Sequence, residues 1–91
     1  MFSYDNPNLI VSDEGFSVQV LGRTGLRYQQ GERWLCVDSE VLAGPHGLVI
    51  YPSSVKSWEP VHQPVSDGDK NTIVANIQRA FAFRGFEIEV S

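Results

Sequence analysis

The chain is short of most residues from which catalytic and metal centres are built. Its 91 residues include one cysteine and two histidines. A single cysteine excludes an internal disulfide, and these Cys and His side chains together cannot supply the four ligands of a structural zinc site. Basic residues are also scarce: seven Lys plus Arg stand against eleven Asp plus Glu, a net charge of -4. That balance works against direct nucleic-acid binding by counterion release and favours a basic macromolecular partner. No run approaches the roughly 18 apolar residues of a membrane span. Met1-Phe2-Ser3-Tyr4-Asp5-Asn6-Pro7 has no basic start, no signal-length apolar core and no small-residue cleavage site, so a cytoplasmic, reduced protein off the membrane is expected. Walker loops, dinucleotide fingerprints and the G-x-S-x-G elbow are absent, and glycines occur singly at turns.

What is present suffices for one core. Hydrophobic residues make up 42% and charged ones 20%, at a length that suits a single domain over residues 1–91. Residues 1–60 read as a β-meander, with the first extended run at Asn8-Leu9-Ile10-Val11. Phe16, Val18 and Val20 then alternate with Ser17 and Gln19, which places the apolar set on one strand face. Gly22-Arg23-Thr24-Gly25 reads as a hairpin turn; its likeness to a nucleic-acid-clamping glycine loop fails, because that loop joins helices and this one joins strands. Trp34-Leu35-Cys36-Val37 and Leu48-Val49-Ile50-Tyr51 are apolar on both parities, the pattern of strands covered on two sides. Ala43-Gly44-Pro45-His46-Gly47 between them is a breaker-rich loop.

A helix is predicted over residues 66–84. Ser66 and Asp69 approach a capping box, and Asp67 and Asp69 sit where the helix dipole favours negative charge. Ile73, Val74, Ile77, Ala80 and Phe81 form one stripe, Arg79 and Arg84 suit the C-terminal end, and Gly85 is the left-handed stop. Phe86, Ile88 and Val90 alternate with Glu87 and Glu89 in a final strand over residues 86–90. The expected fold is therefore α+β: a five- to six-stranded, mainly antiparallel, curved sheet packed by one C-terminal helix and followed by a last strand. One helix covers only one sheet face, so the other is closed by curling or by a partner.

No catalytic set assembles from these residues. Cys36 between Leu35 and Val37 reads as desolvated core rather than nucleophile. His46 and His62 lack a companion nucleophile or orienting group and read as surface residues. Asp67-Gly68-Asp69-Lys70-Asn71 opens like a calcium loop, yet Thr72 stands where glycine is needed and Gln78 where a bidentate glutamate is needed. Catalytic, cofactor-binding and metal sites are thus all assigned as none. Asp38 with Glu40 and Glu87 with Glu89 are alternate-position pairs about 7 Å apart along a strand, and read as solvated faces rather than an acid–base couple.

Gly25-Leu26-Arg27-Tyr28, residues 38–45 (Asp-Ser-Glu-Val-Leu-Ala-Gly-Pro), Leu48-Val49-Ile50-Tyr51, Ser57-Trp58, the helix and Phe86-Glu87-Ile88-Glu89-Val90 together resemble bacterial immunity proteins of polymorphic-toxin and contact-dependent growth inhibition systems. The resemblance covers nearly the whole chain. It implies a non-catalytic cytosolic antidote that binds the C-terminal domain of a cognate toxin, often a nuclease, with an RNase ahead of a DNase, by covering its active site or an adjoining surface. The acidic composition agrees with such a basic partner. No site residue is carried over from the family. The sequence nominates Glu32, Asp38, Glu40, Tyr51, Trp58 and Glu59, on or beside the middle strands, as carboxylates pairing with basic toxin residues around two aromatic anchors. Two alternatives stay open: an interaction or oligomerisation subunit, including a homodimer, and a small hydrolase using His46.

Overall fold

The computed structural model describes residues 2–6, 8–22, 25–41 and 47–90. Strands β1 (Phe2–Asn6), β2 (Leu9–Ser12), β3 (Phe16–Val20), β4 (Gly25–Gln30), β5 (Arg33–Val41) and β6 (Gly47–Tyr51) run up and down as an antiparallel meander. A 3-10 turn at Pro52–Ser54 leads into a two-stranded ribbon, β7 (Ser57–Trp58) and β8 (Gln63–Pro64). Helix α1 (Asp67–Phe83) then returns the chain to the far edge of β6, where β9 (Glu87–Val90) adds in parallel. A parallel neighbour requires a crossover, and the ribbon and helix supply it. The resulting order is β1-β2-β3-β4-β5-β6-β9.

This is the expected α+β arrangement, with a curled sheet, one helix and a final strand. The sheet has seven strands, one beyond the expected range. The addition is β1, a five-residue strand in which only Phe2 and Tyr4 alternate with polar residues and whose pairing with β2 shifts register between Ser3 and Asn6. The Gly22-Arg23-Thr24-Gly25 turn lies partly outside the described residues, as does the loop expected at Ala43-Gly44-Pro45-His46-Gly47, whose Gly47 instead opens β6; β3 and β4 on either side of the former pair antiparallel as a hairpin requires. No helix among the described residues is long and apolar enough to cross a membrane.

Alternation along the strands sorts the side chains into two faces. The inner face carries Ile10, Phe16, Val18, Leu26, Tyr28, Leu35, Val37, Leu48 and Ile50, all buried. Against it α1 lays Ile73, Ile77, Ala80 and Phe81, so the three- and four-residue stripe read in the sequence is the packing stripe. Val55 and Trp58, from the segment between β6 and the helix, close the rest of this core. Each large apolar side chain buried in this way contributes about 1.5–3 kcal/mol.

Both helix ends are closed by local chemistry. The Ser66 hydroxyl accepts a hydrogen bond from the Asp69 amide at 3.1 Å, satisfying one N–H that the helix leaves unpaired. At the other end Gly85 adopts φ 80, which lets its own amide reach the Ala82 carbonyl and the Phe86 amide reach that of Phe81. The rings of Phe81 and Phe86 meet edge-on at 5.9 Å beneath this turn. Arg79 does not serve the helix terminus as the sequence suggested. It forms an ion pair with Glu14 on the β2–β3 turn and stacks over Phe2 at 5.7 Å, tying the helix to the N-terminal strands.

Two further expectations are corrected here. Cys36 is exposed, because odd positions of β5 face the helix and even positions face away from it. For the same reason β5 is covered on one side only: Trp34 is half-buried and Asp38 and Glu40 are exposed. In β6, by contrast, Val49 is buried on the helix-free face, flanked in register by Glu40 and Glu89.

Tyr28 is the polar centre of the inner face. It is fully buried, accepts a hydrogen bond from the Asn76 amide at 2.9 Å and donates to the Gln30 side chain at 3.0 Å. Burial raises its pKa above the ordinary 10.0; the Asn76 bond pulls the other way and the Asp69 charge adds to the rise. A phenol raised in the fold keeps its proton where the unfolded chain releases it. Its contribution to stability is intact below pH 10 and falls as pH rises through the folded value. Denaturant midpoints measured from pH 8 to 11 should therefore drop more steeply for the native chain than for Tyr28→Phe. At the helix–sheet contact, Ile77→Ala should cost about 2–5 kcal/mol in the same unfolding measurement.

Candidate partner-binding face

With the helix and the 52–65 segment on the inner side, the opposite face of the sheet carries the groups left for recognition. From β5 it presents Trp34, Cys36, Asp38 and Glu40; from β6, Val49 and Tyr51; from β9, Glu87 and Glu89. Register places Asp38 beside Tyr51, and Glu40, Val49 and Glu89 in one row. Strand spacing puts Glu40 about 10 Å from Glu89, and the rise along a strand separates Asp38 from Glu40 by about 7 Å. Asp38, Glu87 and Glu89 have no ion-pair partner among the described residues. The Tyr51 hydroxyl donates to the Glu40 carboxylate at 2.9 Å, which fixes the ring inside the acidic corner. The Ser54 hydroxyl accepts from the Asp38 amide at 2.8 Å and donates to the Tyr51 carbonyl at 2.6 Å, so the β5–β6 edge is pinned where the corner begins.

Of the six residues nominated from sequence, the fold brings Asp38, Glu40 and Tyr51 together. Glu32 is exposed on the β4–β5 turn, six positions and so about 20 Å along β5 from Asp38. Glu59 sits at the same end, its backbone paired with Trp34 and its carboxylate 3.1 Å from His62 Nδ1. Trp58 is 2% exposed, its ring tilted against that of Tyr28 at 6.2 Å and capped by the Arg33 guanidinium at 4.3 Å. Its ring belongs to the core and is not on the face that carries Tyr51. The exposed-side tryptophan is Trp34, over whose ring Arg27 lies at 4.5 Å. Glu87 and Glu89 were visible in the sequence as an alternating pair, but only the parallel β6–β9 pairing sets Glu89 in one row with Glu40 and leaves Glu87 opposite Gly47, farther along the same face.

No other described feature competes with this face as a site. An open depression of about 370 Å³ lies between Val11, Ser12, Gly15, Phe16, Ser17, Gln29 and Gly31, and its lining carries no charged side chain. His62 is a surface residue, as expected. His46 lies outside the described residues. Among the described residues no three of His, Cys, Asp and Glu are grouped as metal ligands.

The sheet is thus packed by the helix on one side and carries exposed carboxylates on the other. The family model described as Immunity protein 74 matches residues 18–91, and the chain belongs to that family. The matched span opens within β3 and runs through the helix to the last strand, leaving β1 and β2 outside it. No curated protein and no solved structure matches the chain. Membership implies toxin neutralisation through a cognate toxin partner, in a family that is generally non-catalytic.

The Tyr51–Glu40 bond has a direct readout. That bond, with small additions from burial and the carboxylate charge, raises the Tyr51 pKa above its ordinary 10.0. In ultraviolet titration, Glu40→Gln should lower the pKa of this phenol while leaving the Tyr28 transition in place.

Proposed function

We propose that the protein neutralises a nuclease toxin domain of a polymorphic-toxin or contact-dependent growth inhibition system in the cytosol, by laying the acidic corner of its helix-free sheet face over the toxin's phosphate-binding surface. One observation carries the reading: in a member of an immunity family, Asp38 beside Tyr51 and Glu40 in one row with Glu89 lie exposed on the sheet face opposite the helix, with Glu87 farther along the same face. Nucleases grip phosphates with Lys and Arg, and a cluster of carboxylates offers those groups the same sign of charge as their substrate. The acidic face both steers the encounter and competes for the active-site surface. An RNase domain is the first toxin class to test, a DNase domain the second.

Co-expression with the cognate toxin domain should protect cells, and the purified pair should associate at micromolar concentration in low salt. Failure of the pair to associate under those conditions overturns the proposal. Reversing the four charges (Asp38→Lys, Glu40→Lys, Glu87→Lys and Glu89→Lys) should slow association by roughly 10- to 100-fold and flatten its salt dependence in stopped-flow measurements. An unchanged association rate would move the interface off this corner.

A further inference from the structure

The acidic corner is only part of the helix-free face. Along β5 towards Trp34 the negative charge gives way to a different surface. Arg27 stands opposite Cys36 in register, and its guanidinium sits over the Trp34 ring at 4.5 Å. Its Nε is buried without a hydrogen-bond partner, and no ion pair or hydrogen bond engages its guanidinium among the described residues. Trp34 is itself held by paired backbone hydrogen bonds with Glu59, at 3.0 and 2.7 Å. A half-buried indole carrying a stacked, unpaired guanidinium is rigid before any partner arrives, so little side-chain freedom is lost on docking. Trp and Arg are also the side chains that most often carry the binding energy of an interface.

Resting on the toxin-binding reading above, we propose that the Trp34–Arg27 pair is the anchor of this interface, and that its occupant is a basic toxin surface presenting one carboxylate to Arg27. The charges explain why that partner, and not any basic protein, completes the contact. Lysines and arginines are drawn to Asp38, Glu40, Glu87 and Glu89, about 13 Å or more along the sheet from Trp34. A uniformly basic surface would then set its own positive charge against Arg27, a penalty that a partner carboxylate converts into a bidentate pair. The acidic corner governs how fast the complex forms; the Trp34–Arg27 pair governs which complex persists.

Cys36 provides a reporter that needs no mutation. It is the sole cysteine of the chain, exposed, and the register neighbour of Arg27. With the toxin domain in saturating excess, alkylation of Cys36 by a maleimide, followed by the mass of the intact chain, should slow at least tenfold. If a stable complex forms and Cys36 reacts at the rate of the free protein, the anchor assignment is wrong while toxin binding stands. If no complex forms, the functional reading itself fails. In surface-binding kinetics Arg27→Gln and Trp34→Ala should each raise the dissociation rate roughly tenfold or more, with association within twofold of the native rate. Because Trp34→Ala removes packing, the Arg27→Gln variant is decisive: a native thermal midpoint with an unchanged dissociation rate overturns the proposal. Replacing one toxin carboxylate should reproduce the Arg27→Gln effect and add nothing to it in the double variant; additive losses would rule out the Arg27–carboxylate pairing.

Discussion

One helix has to close a seven-stranded sheet, and it can lie on only one side. Everything else follows from that asymmetry. The stripe of Ile73, Ile77, Ala80 and Phe81 commits α1 to the face holding Val18, Leu26, Tyr28, Leu35 and Ile50, and the Val55–Trp58 segment finishes the same side. Burying the second face would need another layer, and among the described residues α1 is the only α-helix. The opposite face stays open to solvent and becomes the surface with which the protein can act.

The closed side is more polar at its centre than a small core of this kind requires. Tyr28 links the sheet to Asn76 of the helix, Asn76 is contacted by Arg79, and Arg79 reaches Glu14 on the β2–β3 turn. These bonds fix how the helix sits across the sheet, which apolar packing alone leaves looser. They also carry β1 and β2 into the structure: Phe2 packs under Arg79, and Ile10 joins the core, although both strands precede the span shared with the immunity family. The family-matched portion ends in β9, whose glutamates complete the acidic corner.

On the opposite face, strand geometry decides which charged groups lie near one another. Carboxylates there are solvated and spaced by strand geometry, and a single tyrosine is locked among them by its bond to Glu40. Exposed charges of this sort add little to the stability of the fold, since solvent screens them. Under the proposed function, their value lies in the field they project towards a basic toxin surface. A stable inner face and an acidic outer face are therefore nearly independent, and substitutions on one leave the other largely intact.

Much of this was legible from residue order alone. The meander, the helix with its Ser66 cap and Gly85 stop, and the wet final strand all rest on local signals: period two, period 3.6, turn residues and capping chemistry; the immunity-protein resemblance rests separately on the likeness of particular segments. Local signals do not say which parity of a strand faces the helix. Cys36 and Trp34, flanked by apolar neighbours, read as interior, yet they lie on the open face; Trp58 reads as an available anchor, yet Tyr28 and Arg33 enclose it. Nor could the sequence tell that Glu89 shares a row with Glu40, because that juxtaposition depends on a parallel pairing between strands separated by the whole crossover. The residues determined the elements and the sign of the charge. The tertiary structure decided which face is free and which carboxylates share it, because one helix buries a single face and register is set by contacts far apart in the chain.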